Sequence, residues 1–294
     1  MTNQRTFKQI DVFTDVPYRG NPLAVVLDGR GLSTERMQAF TNWTNLSEPT
    51  FLLPPDDPAA DYKVRIFCPG RELPFAGHPT LGSCHAWLEA GGRPKGSHVV
   101  QECGVGLVKI RRDESAGGQP ARLAFSAPPL RRQGPLPEED VALIARGLGI
   151  ARSDIVAHAW CDNGPQWRGV LLRKAGQVLS LRPDASVLPG LEIGVVGPAK
   201  VGVVAPREPG DHCAFEVRAF FPGNNGMAED PVTGSLNAAL AQWLIGAGIA
   251  PDNYVAAQGT VLGRAGRVHV ERDADGTIWV GGASVTCIDG QVAL

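Results

Sequence analysis

Two short segments of the chain carry acidic, basic and hydroxyl side chains immediately before an apolar stretch. They read "AGHPTLGS" and "EDPVTGS", and their candidate substrate-binding and catalytic residues are Gly77, His78 and Ser83 in the first and Asp230, Gly234 and Ser235 in the second. In each segment a proline, Pro79 or Pro231, predicts the first residue of a helix, with His78 or Asp230 in the capping position before it. A helix amino terminus leaves about four N–H groups unpaired and carries roughly half a positive charge, so both segments are candidate anion sites.

The matched positions of His78 and Asp230 favour a common role. Two helix starts that face one cleft would place the imidazole and the carboxylate on opposite sides of a small ligand, with the hydroxyls of Ser83 and Ser235 one turn inside. The alternative is that Asp230 only caps its helix and that His78 only occupies a turn. Because both positions recur in the same order, we predict a site.

These segments belong to a longer internal repeat. "RIFCPGRELPFAGHPTLGSCHAWL" and "RAFFPGNNGMAEDPVTGSLNAALAQWL" share Arg-x-Phe-x-Pro-Gly, and then Pro, Gly, Ser and Ala in the same order. A period of about half the chain is too long for a solenoid. We therefore predict two similar domains with an approximate two-fold relationship, 1–128 and 129–280, with a last strand at 281–294 that can return to the first domain.

The elements around each repeat indicate the fold class. A short β-prone run ends at Pro-Gly, an apolar helix follows, and "AGG" or "GAG" marks its end. Other segments, such as "NPLAVVL", "RGVLLR" and "RVHVER", are strand-like, and turn residues separate them. We predict an α+β fold in which a central buried helix in each domain is wrapped by a mostly antiparallel β-sheet. A doubly wound sheet is disfavoured because strands and helices do not alternate.

Composition excludes several classes of function. The net charge is −2 and 43% of the residues are hydrophobic, as in an ordinary globular protein without a nucleic-acid partner. The polar amino terminus and the lack of a long apolar run predict a cytoplasmic protein without a membrane partner. The six cysteines are dispersed and the histidines lack metal-site spacing, so we expect neither disulfides nor a metal.

Seven segments together resemble the PhzF-like family, the phenazine-biosynthesis isomerase group within the diaminopimelate epimerase fold. They are "DVFTDVPYRGNPLAVV", "NLSEPTF", "RIFCPGRELPFAGHPTLG", "DNGPQW", "EDPVTGS", "QGTVLGR" and "VGGASV", and they extend over nearly the whole chain. One departure is "GRAG", Gly263 to Gly266, where the family often has "GRPS", so a serine that could contact the ligand is absent.

The resemblance implies a function and a set of residues. It implies two repeated domains with the active site between them, no metal or organic cofactor, and a homodimer. The implied reaction is proton transfer between carbons of a small cyclic amino acid or carboxylate, as in trans-2,3-dihydro-3-hydroxyanthranilate isomerisation. The matching catalytic residues are Glu48, as the principal acid/base, with His78 and Asp230, while Ser235 matches the family serine.

The surroundings of Glu48 agree with this role. Asn45 to Ser47 read as the end of a short helix and Pro49 forces an extended step, so Glu48 should lie at a helix-to-strand junction. Apolar neighbours such as Phe51 should hold the carboxylate against the core, where it can take up and return a proton. The alternative is an exposed loop glutamate, the ordinary place for this residue type.

Two other functions remain open from the sequence. An epimerase or racemase of the same fold would need two thiols at the helix starts, where this chain has Pro79 and Pro231. Cys84, the nearest cysteine, has no counterpart in the second repeat, so we predict a core role for it. A protein that binds a small carboxylate without converting it would keep the anion sites but would not need Glu48, His78 and Asp230 together.

Overall fold

The computed structural model describes residues 3–113, 121–188, 200–223 and 226–294. The chain divides into two compact units, Met1–Ser126 with Gly281–Leu294, and Ala127–Val280. The segment after residue 280 belongs to the first unit, and the assignment of the two units as epimerase-like domains stays a prediction. None of the helices in the described ranges is long and apolar enough to cross a membrane.

The first unit contains nine of the strands in the described residues. Its elements are β1 (Gln4–Val12), β2 (Asn21–Val26), α1 (Thr34–Thr44), β3 (Thr50–Leu53), β4 (Tyr62–Cys68), β5 (Arg71–Leu73), α2 (Gly77–Glu89), β6 (Val99–Cys103), β7 (Gly106–Asp113), β8 (Arg122–Ser126) and β17 (Ser284–Ala293). β1 pairs antiparallel with β2 and β17, β2 pairs parallel with β3, and β3 pairs antiparallel with β4. β4 then pairs antiparallel with β5 and parallel with β6, and β6–β7–β8 is an antiparallel meander.

The second unit repeats this order of pairing. Its elements are α3 (Glu138–Leu148), β9 (Ala157–Cys161), β10 (Trp167–Leu171), α4 (Ala175–Ser180), β11 (Val201–Pro206), β12 (Phe215–Gly223), β13 (Gly226–Asp230), α5 (Gly234–Gly246), β14 (Asn253–Gln258) and β15 (Gly266–Arg272), and the boundary falls inside β16 (Ile278–Gly282). β9–β10 is antiparallel, β10–β11 parallel, β11–β12–β13 antiparallel, β12–β14 parallel and β14–β15 antiparallel. This matches β1 to β7 strand for strand. The approximate two-fold relationship between the units stays a prediction.

The two central helices, α2 and α5, are buried as expected but begin elsewhere than expected. The amino-terminal cap of α2 is Ala76, so Pro79 is its third residue and His78 lies inside the helix. The cap of α5 is Thr233, so Pro231 precedes the helix and Asp230 ends β13. The prediction that both prolines take the first helical position was therefore wrong. Proline fits any position of the first turn, because the N–H that it lacks has no partner there in any case.

Close packing against the strands explains the small residues of these helices. A Cβ atom on Gly82 of α2 would lie 2.5 Å from Leu23 Cδ2 and 2.9 Å from Val12 Cγ2, so glycine lets the helix approach β1 and β2. In the second unit the small residue is on the strand, since a Cβ on Gly202 would lie 2.4 Å from Leu236 of α5. The core beside these contacts is aromatic around Phe40, Phe51 and Phe67 in the first unit, and mostly aliphatic in the second, where Trp160 and Phe220 join it.

Besides the predicted central pair, the described part of the chain forms three further α-helices. The sequence indicated only the end of α1, which stops at Thr44 with Asn45 in a left-handed conformation (φ 57°). The pattern of α3 is amphipathic, with an acidic first turn and Gly149 (φ 69°) after its last residue, and α4 is a single short helix that packs on β11 and β12. The predicted ends of α2 and α5 at "AGG" and "GAG" are confirmed.

Candidate active site

Glu48 lies between the end of α1 and the start of β3, at the predicted helix-to-strand junction. Phe51 and Leu52, just after it, are buried in the core of the first unit. The Glu48 side chain itself is 22% exposed, so the carboxylate is held by its neighbours but is not sealed from solvent. Such a carboxylate can both be oriented by the protein and reach a small molecule.

His78 and Glu48 come together in the first unit. His78 Nε2 lies 3.5 Å from Glu48 Oε2, and the other ring nitrogen, Nδ1, lies 3.3 Å from Asn21 Nδ2. An amide nitrogen only donates, so Nδ1 accepts, and the neutral imidazole carries its proton on Nε2, the atom facing Glu48. The Nε2–Oε2 distance is longer than a usual hydrogen bond, and catalytic contacts often tighten only when substrate binds.

A second set of buried polar contacts fixes α2 relative to the strands. Ser83 Oγ donates to Thr50 Oγ1 at 2.9 Å, and Gln101 Nε2 donates to Thr80 Oγ1 at 3.1 Å. Ser83 is fully buried and its hydroxyl bonds α2 to β3, while its predicted part in substrate binding stays a prediction. Gly77 is the first residue of α2, where the unpaired N–H groups of a helix start lie.

In the second unit Asp230 is part of a dense hydrogen-bond network. Thr233 Oγ1 donates to Asp230 Oδ2 at 2.7 Å, and Gln258 Nε2 donates to Asp230 O at 3.1 Å and to Thr233 Oγ1 at 3.0 Å. Gln258 Oε1 accepts from Thr233 N at 3.1 Å and from Asn237 Nδ2 at 2.8 Å. Asp230 is therefore not the cap of α5. Thr233, which is the cap, holds the Asp230 carboxylate at the end of β13.

Ser235 lies on the first turn of α5, where two side chains hold it. Trp167 Nε1 donates to Ser235 Oγ at 3.1 Å, and Asn163 Nδ2 donates to Ser235 O at 2.8 Å. An indole N–H is only a donor, so Ser235 Oγ accepts from it and keeps its own proton for an acceptor, as a carboxylate site needs. Trp167 is 3% exposed and supports Ser235 from within, whereas Trp43 is 80% exposed.

The thiols are unsuited to acid/base chemistry. Cys84 is fully buried on α2, and burial raises the pKa of its thiol to about 12. Burial likewise raises the pKa of Cys161 to about 12. Since a thiolate is the reactive form, neither residue is a base near neutral pH, and the predicted core role of Cys84 is confirmed.

One group of potential metal ligands lies close together in the described part of the chain. The ligand atoms of Asp211, His212 and Cys213 are within 4.8 Å of one another. However, Arg207 Nη2 donates to Asp211 Oδ2 at 2.9 Å, and Arg267 Nε donates to His212 Nε2 at 3.2 Å. Two guanidinium groups beside these atoms repel a cation, so this cluster does not fit a metal.

The sequence analysis named candidate site residues but not the side chains that contact them in the structure. The predicted site residues were Glu48, Gly77, His78, Ser83, Asp230, Gly234 and Ser235. Trp167, like Trp43, was expected to flank a cleft loop and shape the pocket, whereas Asn21, Asn163, Thr233 and Gln258 were assigned no role. Asn21, Asn163, Trp167 and Gln258 lie in the segments "RGNPLAVV", "DNGPQW" and "QGTVLGR", which carried the family resemblance. The polar residues inside these motifs could therefore have indicated which side chains contact the candidate site residues.

Known proteins resemble this chain over nearly its whole length. The family model PhzC-PhzF, described as phenazine biosynthesis-like protein, matches residues 10–290. The chain is 35% identical over 298 residues to antisense-enhancing sequence 1 of Schizosaccharomyces pombe, with 98% of each chain covered. It is 31% identical over 272 residues to trans-2,3-dihydro-3-hydroxyanthranilate isomerase of Pseudomonas aeruginosa, covering 91% of this chain and 90% of that one.

The fold is also that of a solved structure. The crystal structure of the Bacillus anthracis phenazine biosynthesis protein of the PhzF family aligns with a TM-score of 0.82 at 21% identity, over 99% of this chain and 100% of that one. The predicted α+β fold and PhzF-like resemblance are confirmed, and the chain is an isomerase. It belongs to the PhzC-PhzF family of phenazine biosynthesis-like proteins.

Proposed function

We propose that this protein is a cofactor-independent isomerase that moves a proton between carbons of a small cyclic amino acid or carboxylate. The observation that supports the proposal most strongly is the approach of His78 Nε2 to Glu48 Oε2 at 3.5 Å in a partly enclosed setting. The relative named trans-2,3-dihydro-3-hydroxyanthranilate isomerase suggests the class of substrate.

Glu48 is the group that moves the proton. As a carboxylate it removes a proton from one carbon of the substrate, and as a partly exposed carboxylic acid, whose proton exchanges with water, it delivers a proton to another carbon on the same face. One group can do both because each step regenerates the form that the other needs. Its partial exposure, next to buried Phe51, allows it to reach the substrate from a fixed backbone position.

His78 orients this carboxylate. With Nδ1 accepting from Asn21, its Nε2–H faces Glu48 and can donate to whichever oxygen is not reacting. That contact favours the carboxylate form before proton removal. Because the Asn21 amide donates to Nδ1, the imidazole proton lies on Nε2, and the proton transferred to the substrate is the one carried by Glu48.

The second unit supplies a carboxylate-binding set of its own. The hydroxyl of Ser235 is directed away from Trp167, and the N–H groups at the start of α5, including that of Gly234, suit an anion. Asp230 keeps its predicted acid/base role as part of the proposal. Homodimer formation is likewise proposed, and light scattering of the purified protein tests it.

The experiment is a conversion assay by proton NMR. The protein is incubated with trans-2,3-dihydro-3-hydroxyanthranilate and with saturated cyclic amino acids, each with and without a chelator. Appearance of an isomer of the diene, unchanged by the chelator, supports a proton-transfer isomerase that needs no metal. Inversion at the α-carbon of the saturated amino acids without diene conversion would instead assign an epimerase. Binding of the diene without any conversion would assign a carboxylate-binding protein.

A further inference from the structure

We infer that Thr233 and Gln258 are positioning residues that hold the Asp230 carboxylate in one orientation through a single directed proton. The inference rests on the proposed role of Asp230 in the isomerase. All three residues belong to the second unit, at the end of β13, the start of α5 and the end of β14.

Two backbone groups determine the orientation of the Gln258 amide. The N–H of Thr233, which can only donate, lies 3.1 Å from one end of the amide, and the carbonyl of Asp230, which can only accept, lies 3.1 Å from the other. Rotating the amide by half a turn would set donor against donor and acceptor against acceptor. The NH₂ end therefore faces Asp230 O and Thr233 Oγ1.

This orientation determines where the Thr233 hydroxyl proton goes. Gln258 Nε2 donates to Thr233 Oγ1 at 3.0 Å, so that oxygen is an acceptor on the Gln258 side. The one proton on Oγ1 is then directed to Asp230 Oδ2, 2.7 Å away. Asn237 Nδ2, which donates to both Gln258 Oε1 and Thr233 O, closes the network from within α5.

The arrangement differs from what a threonine at a helix start usually does. A threonine in the capping position normally accepts from an N–H of the first turn, which stabilises the helix. Thr233 is the cap of α5, but its side chain caps no N–H of that helix and donates to Asp230 instead. Gln258, Thr233 and Asn237 are all buried, so solvent does not compete for these bonds. Because the Thr233 hydroxyl bonds to Asp230 and not to an N–H of its own helix, it has a role beyond helix stability.

The test compares Thr233→Val, Thr233→Ser and the wild-type protein with trans-2,3-dihydro-3-hydroxyanthranilate as the probe substrate. Valine keeps the shape and removes the directed proton, so kcat should fall about 10-fold or more while KM changes less than about threefold. Serine keeps the hydroxyl and should recover most of kcat. Thr41→Val is the matched control, because it makes the same change at another fully buried threonine. It removes the bond of 2.9 Å from Thr41 Oγ1 to Met37 O on α1.

The outcomes separate this inference from the proposed function. If the wild-type protein isomerises the probe and Thr233→Val does so equally well, or if serine fails to restore what valine loses, the inference is wrong and the function stands. If the wild-type protein converts nothing, or Thr233→Val does not fold, neutron diffraction from crystals grown in D₂O decides. A deuteron on Thr233 Oγ1 directed at Asp230 Oδ2 supports the inference, and one directed elsewhere overturns it.

Discussion

His78 and Glu48, 30 residues apart in the sequence, lie close together where Ser83, on the helix of His78, bonds to the strand that follows Glu48. Ser83 on α2 donates to Thr50 on β3 at 2.9 Å, and Thr50 is two residues after Glu48. This bond joins α2 to β3, and His78 Nε2 lies 3.5 Å from Glu48 Oε2. Ser83, which we predicted to bind substrate, thus contributes to the geometry of the site from inside the core.

Ser83→Ala should lower both stability and turnover. The substitution removes a buried hydrogen bond and leaves Thr50 with only a long contact, 3.4 Å, to Ala24 O, at an expected cost of about 1–2 kcal/mol in the free energy of unfolding. Urea denaturation measures this cost, and Ser97→Ala, at an exposed position, is the control. Equal stabilities for Ser83→Ala and wild type would show that the bond does not hold α2 to β3.

Asn21 should determine which nitrogen of His78 carries the proton. Asn21 Nδ2 lies 3.3 Å from Nδ1, which predicts the Nε2–H tautomer in the wild-type protein. Replacing Asn21 with leucine removes that donor, so the ring should populate both tautomers and kcat should fall by about 10-fold. Nitrogen-15 chemical shifts of the imidazole report the tautomer directly. An Nδ1–H tautomer in the wild-type protein would contradict the role given to His78.

Local patterns predicted the fold and drew attention to His78 and Asp230, whereas the catalytic role of Glu48 was assigned from the family resemblance. The strand-turn-helix repeat around Pro79 and Pro231 and the junction at Glu48 are readable from residue type and spacing alone. The contacts of Asn21 with His78 and of Gln258 with Thr233 depend on strand register, which short-range patterns do not encode. The helix starts were misplaced because proline is compatible with several positions at or before a first turn.

His85 should make the protein less stable as the pH falls below about 6.5. Burial lowers the pKa of His85 beneath its usual value of 6.5, although Glu89 acts in the opposite direction. Below pH 6.5 the unfolded chain binds a proton that the folded chain does not, so the free energy of unfolding decreases until the pH reaches the folded pKa. In His85→Gln the decrease should be smaller. Urea titrations between pH 5 and 7.5 test this, and identical slopes for both proteins would refute it.

Cys84 should be dispensable for catalysis. With a pKa of about 12, the thiol stays protonated and buried, so it should resist iodoacetamide in the folded protein. Cys84→Ala should retain kcat and lose about 1 kcal/mol of stability because a small cavity remains. Steady-state kinetics and thermal denaturation check both expectations. Loss of activity without unfolding would support a thiol-dependent epimerase.

The proton-transfer role of Glu48 is tested most directly by deuterium incorporation from D₂O into carbon positions of trans-2,3-dihydro-3-hydroxyanthranilate. The wild-type protein and the control Glu139→Gln, which changes an exposed glutamate of α3, should incorporate deuterium at the same rate. Glu48→Gln keeps the shape of the side chain but removes its basicity, so incorporation should fall by about 10²-fold or more, with substrate affinity nearly unchanged. Deuterium incorporation by Glu48→Gln at the wild-type rate would contradict the account and leave His78 or Asp230 as the base.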